Sequence, residues 1–208
     1  MMEKKLKVPK ATRKRYPIYL KALKKMRSRG VERVLSSDLA EYCDTQATTI
    51  RRDFSFIGSL GKQGFGYSVD YLIEVFDNLL GVNYDEKIVI VGVGNLGKAL
   101  LNYNRWNHVV GEIVVGFDTD PKKTGNRTGV PVYHMSELKE KLPEECRLAI
   151  VTVSDQVQET VDLLIDAGIV GIVDFSHEHV QVPNGVFIKQ VDVVAAIQEI
   201  VFQVNHLD

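Results

Sequence analysis

Residues 87–100 read KIVIVGVGNLGKAL, an apolar strand pattern followed by three spaced glycines and the start of a helix. In such a G-x-G-x-x-G pattern Gly92 permits a tight turn, Gly94 lets the backbone approach a pyrophosphate, and Gly97 lets the helix pack closely on the strand. Amide groups at the helix N-terminus then bind the anion. The stretch therefore predicts a dinucleotide site formed by Gly92, Val93, Gly94, Asn95, Leu96 and Gly97.

An acidic residue at a suitable distance strengthens this prediction. A second apolar run, residues 113–117, is followed directly by Asp118, about 21 residues after Gly97. A carboxylate there would accept a hydrogen bond from the adenosine ribose and repel a 2′-phosphate, which favours NAD(H) over NADP(H) as the cofactor. The alternative for Asp118 is a helix cap or turn former ahead of Pro121.

Apolar runs and helical patterns alternate through the rest of this part of the chain. The further runs are residues 148–153, 170–175 and 186–188. Parallel strands covered on both faces have this pattern, so we predict an α/β fold with a Rossmann-type doubly wound parallel sheet over residues 85–208. Residues near the carboxyl ends of the later strands should line the crevice beside the nicotinamide, and these are Thr152, Val153 and Phe175.

The first part of the chain has a different pattern. Apolar residues at helical spacing predict a helix over residues 13–29, and a short second helix and a third helix follow, with Ile50 and Phe54 on one face of the third. Residues 58–67 then contain four glycines, which permit a tight hairpin. This order predicts a winged helix-turn-helix domain over residues 1–84.

The formal net charge of −1 hides an uneven division of charge along the chain. Residues 1–84 contain 16 Lys and Arg against 9 Asp and Glu, whereas residues 85–208 contain 10 against 18. A basic domain is suited to a polyanion such as double-stranded DNA, although an ordinary solvated basic face is the alternative.

Three groups of side chains are candidates for DNA contact. A recognition helix should present polar and cationic residues to base edges and phosphates, a wing tip should enter the minor groove, and a basic N-terminal segment should neutralise phosphates. The three groups are, in that order, Gln46, Thr48, Thr49, Arg51 and Arg52; Lys62 and Gln63; and Lys10, Arg13, Lys14 and Arg15. The alternative is that they are ordinary solvated residues.

Groups for catalysis or for metal binding are few. His177 and His179 could supply a base, or a metal cluster with Glu178, but an isolated His-x-His is more often a surface turn. We therefore predict a protein that is not an enzyme and holds no metal. Two alternatives stay open, an NAD-dependent dehydrogenase and a nucleotide-binding or coenzyme A-binding module joined to a protein-interaction domain.

The composition excludes other classes of protein. No apolar run approaches the roughly 20 residues of a membrane helix, and charged residues occupy the place of a secretory signal, so we expect a cytoplasmic protein without a membrane partner. Cys43 and Cys146 are far apart and predict neither a disulfide framework nor a zinc site.

Two unrelated sets of motifs occur in one order along the chain. VPKAT at residues 8–12 leads into the winged helix, GFGY follows at residues 64–67, and GVGNLG stands at residues 92–97. Over essentially the whole chain this order resembles the Rex family of bacterial redox-sensing transcriptional repressors. The resemblance implies a homodimer that binds palindromic operator DNA when NAD⁺ dominates and releases it when NADH binds.

The resemblance also implies an allosteric switch. Tyr103 and Asp192 match the switch residues of the family, and Asp192 opens a C-terminal helix, about residues 191–205, that is exchanged between subunits in this family. By its apolar stripe alone, that helix could equally be buried in its own domain. The family aspartate also contacts an arginine of the first helix. Lys21 stands at that position, which keeps the charge but not the planar fork.

One further stretch departs from the family pattern. Residues 174–177 read DFSH, where the family often has Asn-Phe-Ala-Pro. This difference is expected to alter the affinity for the reduced cofactor.

Overall fold

The protein is described by a computed structural model that covers residues 8–62, 64–81, 86–103, 110–126 and 129–206. The chain divides into two compact units, residues 1–83 and residues 84–208. Gln63, which was predicted to lie in the wing, is outside the described residues.

The first unit is built from helices with one small sheet. Its helices are α1 (Lys10–Arg27), α2 (Ser36–Tyr42), α3 (Ala47–Ser55) and α4 (Val69–Leu79), and its strands are β1 (Arg33–Val34) and β2 (Tyr67–Ser68). The two strands pair antiparallel, with Val34 opposite Tyr67. Ser68 caps α4, because its hydroxyl accepts a hydrogen bond from the Tyr71 amide. The arrangement is the winged helix-turn-helix that the sequence predicts.

The core of the first unit is rich in aromatic rings. Tyr19 of α1, Phe54 of α3 and Phe76 of α4 contact one another, with ring centroids 5.5 to 6.2 Å apart. Leu23, Leu39, Ile50 and Leu72 are fully buried around them. Each of the four helices thus contributes to one core, and burial of these side chains is the main force that holds them together.

Two local expectations about the first unit need correction. The hairpin predicted over residues 58–67 has one bridge, between Lys62 and Gly66, and the strand that pairs with β2 is β1. Strands of two residues are too short to show the alternating pattern by which strands are recognised. The first helix also covers residues 10–27 rather than 13–29.

The second unit contains a seven-stranded sheet. The strands are β3 (Glu86–Val91), β4 (Gly111–Asp118), β5 (Gly125–Asn126), β6 (Pro131–His134), β7 (Leu148–Val151), β8 (Gly171–Asp174) and β9 (Phe187–Gln190). Their order across the sheet is β5-β6-β4-β3-β7-β8-β9, and the described pairs are parallel except for β5 with β6. The order reverses between β3 and β7, which is where Rossmann folds bind dinucleotides.

Helices accompany the sheet. They are α5 (Asn95–Leu101), α6 (Leu138–Lys141), α7 (Val157–Asp166) and α8 (Val193–His206), with 3₁₀ turns at Pro121–Lys123 and Met135–Glu137. Val157, Val161 and Leu164 of α7 are fully buried against a cluster that includes Val89 and Phe117 of the sheet. The parallel sheet with these helices confirms the predicted α/β class.

The helix α8 differs from the other helices in burial. It contains no buried residue within this chain, and seven large apolar side chains are exposed by half or more. They are Val193, Val194, Ile197, Ile200, Val201, Phe202 and Val204. Burial of this helix in its own domain, one of the two alternatives, is therefore not what the structure shows.

Candidate functional site

The glycine-rich loop connects β3 to α5 at the reversal of strand order. Gly92 adopts a φ of +91°, and its amide donates to the Phe117 carbonyl oxygen of β4 at 2.8 Å. A Cβ on Gly97 would clash with the Gly92 carbonyl oxygen, whereas a Cβ on Gly94 would meet nothing within 4 Å. Gly97 is therefore needed for packing inside the protein, and Gly94 leaves open space in which a ligand can approach the backbone.

Asp118, at the end of β4, ties this loop to the neighbouring turn. The side chain is 5% exposed, and Oδ2 accepts a hydrogen bond from the Val93 amide at 2.6 Å. Oδ1 accepts from the Asp120 amide at 2.8 Å and lies 3.4 Å from Lys123 Nζ. Asp118 therefore stabilises the turn ahead of Pro121, which was the alternative role for this residue. Because a carboxylate oxygen can accept two hydrogen bonds, Oδ2 still has capacity for a ribose hydroxyl.

Thr152 supports the loop from the β7 side. Its hydroxyl donates to the Gly92 carbonyl oxygen at 2.5 Å, and its amide donates to the Val91 carbonyl oxygen at 2.9 Å. Val153 follows it, and Val153 Cγ1 would lie 2.9 Å from a Cβ on Gly92. Thr152 and Val153 thus lie against the glycine-rich loop, and the Thr152 hydroxyl is engaged by the loop itself.

The chain after β8 is fixed by a buried carboxylate. Asp174 is 1% exposed, and it accepts hydrogen bonds from the Ser176 amide at 2.8 Å and from the Ser176 hydroxyl at 2.9 Å. The Gln190 amide group donates to the carbonyl oxygens of Ser176 and Glu178. Phe175, which follows β8 and is half-buried, lies beside the end of β7, because its amide donates to the Val151 carbonyl oxygen at 2.9 Å.

The predicted switch residues of the second unit lie on the surface. Asp192 caps α8, because Oδ1 accepts from the Ala195 amide at 2.9 Å, and this atom lies 3.9 Å from His177 Nδ1. Tyr103, which follows α5, is exposed, and so are His177 and His179. Within the described residues no group of three or more His, Cys, Asp or Glu side chains could hold a metal ion.

In the first unit, α3 presents most of the residues predicted to read DNA. Gln46, Thr48, Arg51 and Arg52 are exposed and Thr49 is half-buried, while Ile50, Asp53 and Phe54 face the core. Arg51 Nη1 donates to the Ser36 hydroxyl of α2 at 2.9 Å. The third helix therefore has an apolar face toward the core and a polar, cationic face toward solvent, which suits a recognition helix.

The N-terminal cations fall into two groups. Lys10, Arg13, Lys14 and Lys21 are exposed on α1. Arg15 instead forms a two-point ion pair with Asp53 of α3, with Nε 2.6 Å from Oδ2 and Nη2 2.8 Å from Oδ1. This pairing differs from the expectation that Arg15 is presented to phosphates, and the sequence offered no signal for it.

The same carboxylate is held by two hydroxyl groups. Thr12 Oγ1 donates to Asp53 Oδ1 at 2.9 Å, and the Tyr19 hydroxyl donates to Oδ2 at 2.7 Å. Burial alone would raise the pKa of Asp53, but the hydrogen bonds from Arg15, Tyr19 and Thr12 outweigh it and lower that pKa. The hydrogen bond to Asp53 likewise raises the pKa of Arg15. Both groups are therefore charged over the whole neutral range.

The wing is a short turn pinned by an arginine. The Phe65 amide donates to the Lys62 carbonyl oxygen at 3.1 Å, and Arg33 Nε donates to the Phe65 carbonyl oxygen at 3.0 Å. Gly66 adopts a φ of +66°, and a Cβ there would lie 2.6 Å from the Val34 carbonyl oxygen. Lys62 and Phe65 are exposed at this turn, as a wing that contacts DNA requires.

Known protein families match parts of both units. The family described as "Putative DNA-binding protein N-terminus" matches residues 7–55, and the family described as "CoA binding domain" matches residues 83–177. A protein of Anoxybacillus flavithermus named "Redox-sensing transcriptional repressor Rex" is 42% identical over 202 residues, which is 96% of this chain and 95% of the relative. The chain belongs to the Rex family of redox-sensing transcriptional repressors.

Other members of the Rex family give the same result. A Listeria welshimeri protein with the same name is 40% identical over 205 residues, which is 97% of this chain and 95% of that protein. Crystal structures of RSP, a Rex-family repressor, match the whole fold. RSP in complex with β-NAD⁺ and operator DNA has a TM-score of 0.88 at 28% identity, over 95% of this chain and 93% of RSP. RSP in complex with β-NADH has a TM-score of 0.85 at 26% identity, over 97% and 96%.

Proposed function

We propose that this protein is a repressor that binds operator DNA as a homodimer and is released from it when NADH binds. The observation that carries the proposal is the presence, in one chain, of a helix with an exposed cationic face, α3, and of a glycine-rich loop held by Asp118 and Thr152. The relatives support it, since RSP has been solved with β-NAD⁺ and operator DNA and with β-NADH. None of the described helices is long and apolar enough to cross a membrane.

The dinucleotide belongs at the loop between β3 and α5. The open space at Gly94 fits a pyrophosphate, and Asp118 Oδ2 can accept from the adenosine ribose. Around them we place Gly92, Val93, Asn95, Leu96, Gly97, Thr152, Val153 and Phe175. When bound, the cofactor supplies a nicotinamide ring that is cationic when oxidised and neutral when reduced, and this difference in charge is the signal.

Operator DNA belongs on the exposed face of α3 and on the wing. We propose that Gln46, Thr48 and Arg51 meet base edges and phosphates in the major groove. Thr49 and Arg52 flank them, Lys62 and Gln63 reach the minor groove, and Lys10 and Arg13 neutralise phosphates. Phosphate contacts of this kind make the affinity strongly dependent on salt.

A second copy of the chain is the partner that α8 requires. Seven exposed apolar side chains on one helix form a surface that soluble proteins normally cover, and a homodimer covers it with the same surface. A dimer also presents two recognition helices, which matches a palindromic operator. We propose that DNA-binding subunits associate through α8.

The two activities are linked by a shift between two shapes of the dimer. We propose that Lys21, Tyr103 and Asp192 take part in this switch, as the family resemblance implies. NADH releases DNA only to the extent that it binds the two shapes with different affinity. A typical coupling of about 1 to 3 kcal/mol changes operator affinity by roughly 5- to 150-fold.

The nucleotide acts here as a signal and not as a reactant. The two relatives that this chain matches over 95% of their length are both named as redox-sensing transcriptional repressors. We therefore propose that the protein carries out no redox reaction on a substrate of its own. Prolonged incubation with NADH should leave its absorbance at about 340 nm unchanged, and steady oxidation of NADH by the protein would favour the dehydrogenase alternative.

Fluorescence anisotropy of labelled DNA tests the proposed function. A palindromic operator of the family type and a scrambled control are titrated with the protein at one fixed salt concentration, with NAD⁺, NADH or NADPH present. We expect selective binding to the palindrome and release by NADH alone. Binding that does not depend on sequence, or that is unchanged at saturating NADH, would overturn the proposal.

A further inference from the structure

Asp53 is the only acidic residue of α3, and it faces away from solvent. Its side chain is 1% exposed, although it follows Arg51 and Arg52, which are on the exposed face. A buried carboxylate is costly unless it is paired and hydrogen-bonded, so its presence in a helix proposed to contact a polyanion needs an explanation. We propose that Asp53 is a positioning residue that fixes the orientation of α3 on α1, an inference that rests on the proposed DNA-binding function.

The side-chain hydrogen bonds of Asp53 come from residues on one face of α1. Thr12, Arg15 and Tyr19 are spaced by three and four residues and therefore line the same side of that helix. They direct four donor atoms to the two carboxylate oxygens, at distances of 2.6 to 2.9 Å. The Tyr16 hydroxyl adds a hydrogen bond to the Asp53 carbonyl oxygen at 3.1 Å. Each carboxylate oxygen thus accepts two hydrogen bonds from α1.

The helix α3 is held on one side by α2, where Arg51 donates to the Ser36 hydroxyl, and on the other side by α1, where the polar contact is that of Asp53. Besides Asp53, its fully buried side chains are Ile50 and Phe54. These two lie one turn apart and hold the helix along one line, so on the α1 side its rotation about its axis is opposed by the hydrogen bonds of Asp53. A rotation of about 10° moves atoms some 6 Å from the axis by about 1 Å, which is enough to lose a hydrogen bond to a base edge.

The geometry of Arg15 matches this role. A guanidinium group that donates from two nitrogens to two oxygens fixes a direction as well as a distance, which a lysine ammonium group does not. The pair also cancels the negative charge that Asp53 would otherwise place beside the phosphates. Arg15, whose side chain is 28% exposed, thus contributes to DNA recognition through its pair with Asp53 rather than through a contact with DNA.

Charge and orientation make opposite predictions for Asp53→Asn. If only charge mattered, removing a carboxylate and releasing Arg15 would strengthen binding to every DNA sequence. If orientation matters, binding to the operator weakens while binding to scrambled DNA stays the same or strengthens. The ratio of operator affinity to scrambled-DNA affinity therefore separates the two.

The chain offers a matched control in Asp77→Asn. Asp77 of α4 also pairs with a cation of α1, because Lys24 Nζ donates to Asp77 Oδ1 at 2.8 Å, but α4 does not read DNA. Full-length variants are titrated with both probes at one salt concentration, and thermal unfolding is followed in parallel. We expect Asp53→Asn to lower the operator-to-scrambled ratio by about 10-fold, the scale of one lost base contact, and Asp77→Asn to leave the ratio unchanged.

Two milder variants cover the case in which Asp53→Asn does not fold. Arg15→Lys keeps the charge and loses the fork, and Tyr19→Phe removes one donor, so both should lower the ratio by less than Asp53→Asn. Folded variants that keep the wild-type ratio would overturn this inference alone. Equal losses on both probes, in step with a lower melting temperature, would also overturn it. A wild-type protein without sequence preference would overturn the proposed function as well.

Discussion

Gly94 and Gly97 have different surroundings, although both belong to the G-x-G-x-x-G motif of residues 92–97. A Cβ at Gly94 meets open space, and a Cβ at Gly97 meets the Gly92 carbonyl oxygen. Gly94→Ala should therefore keep the melting temperature of the wild type but weaken binding of both NADH and NAD⁺ by about 10-fold or more, because the methyl group occupies the place of the pyrophosphate. Calorimetric titration measures the affinity.

Gly97→Ala is the companion variant, with the opposite expectation for stability. It should lower the melting temperature, since the added carbon has no space between loop and helix. A Gly94→Ala protein that binds NADH like the wild type would show that the pyrophosphate lies elsewhere.

An asparagine side chain cannot replace the hydrogen bonds that the Asp118 carboxylate accepts. Its two oxygens accept from two backbone amides, Val93 and Asp120, whereas asparagine offers a single acceptor oxygen. Asp118→Asn should therefore weaken NADH binding by about 10-fold, the scale of a lost hydrogen bond to a charged group, and should narrow the preference for NADH over NADPH. The control is Glu112→Gln, which removes a negative charge from an exposed position on the same strand. Equal affinities for NADH in wild type and Asp118→Asn would contradict this.

Residues of the site were predictable from sequence where the spacing is set by local structure. The glycines and Asp118 lie within two consecutive elements, so their separation along the chain indicates their separation in space. Arg15 and Asp53 are 38 residues apart and meet only because α1 packs on α3. The sequence shows a basic segment there and gives no sign that one of its cations is paired internally.

The contact between helices α1 and α3 should lose stability in acid, when Asp53 is protonated. The pKa of Asp53 is lowered below its ordinary value of 3.8, so the folded state favours the charged form. The stabilisation is complete above about pH 5 and is lost as the pH falls below 3.8 toward the folded-state pKa. The protection factors of the amides in α1 and α3, which correct for the intrinsic exchange rate at each pH, should therefore fall more steeply in acid in the wild type than in Asp53→Asn. Identical acid profiles would rule this out.

The wing depends on Arg33, which hydrogen-bonds two of its carbonyl oxygens. Arg33→Met should weaken operator binding by about 5-fold and reduce protection of the minor groove in footprinting, because the turn loses its attachment to β1. Arg29→Met is the matched control, since Arg29 is equally cationic and exposed but contacts Tyr42 of α2. If Arg33→Met and Arg29→Met weaken operator binding equally, the effect comes from the lost charge alone and not from the attachment of the wing.

Element length decided which elements the sequence could predict. The long helices and the buried strands β3, β4, β7 and β8 carry enough apolar residues to show a period, and they are where the sequence predicts them. The two-residue strands β1, β2 and β5 are too short to show any period, and β6 begins at a proline. Their positions depend on partners that are distant in sequence, for example Val34 opposite Tyr67.

Helix α8 should determine whether two copies of the chain form a dimer. Ile197 lies midway along the helix and is 58% exposed in one chain. Ile197→Asp should convert the dimer to a monomer and reduce operator affinity by about 100-fold or more, since a single recognition helix meets one half-site. Sedimentation equilibrium measures the mass, and Glu199→Ala on the same helix is the control. A dimeric Ile197→Asp protein would place the interface elsewhere.

Exposure of α8 in the single chain has a genetic consequence. Subunits that differ only in α3 carry the same α8, so they pair with each other as readily as with themselves. In a cell that makes intact and α3-damaged copies in equal amounts, about one quarter of the dimers would hold two intact recognition helices. Alleles that damage α3 should therefore be dominant over the wild type in a partial diploid, and a second mutation in α8 should make them recessive.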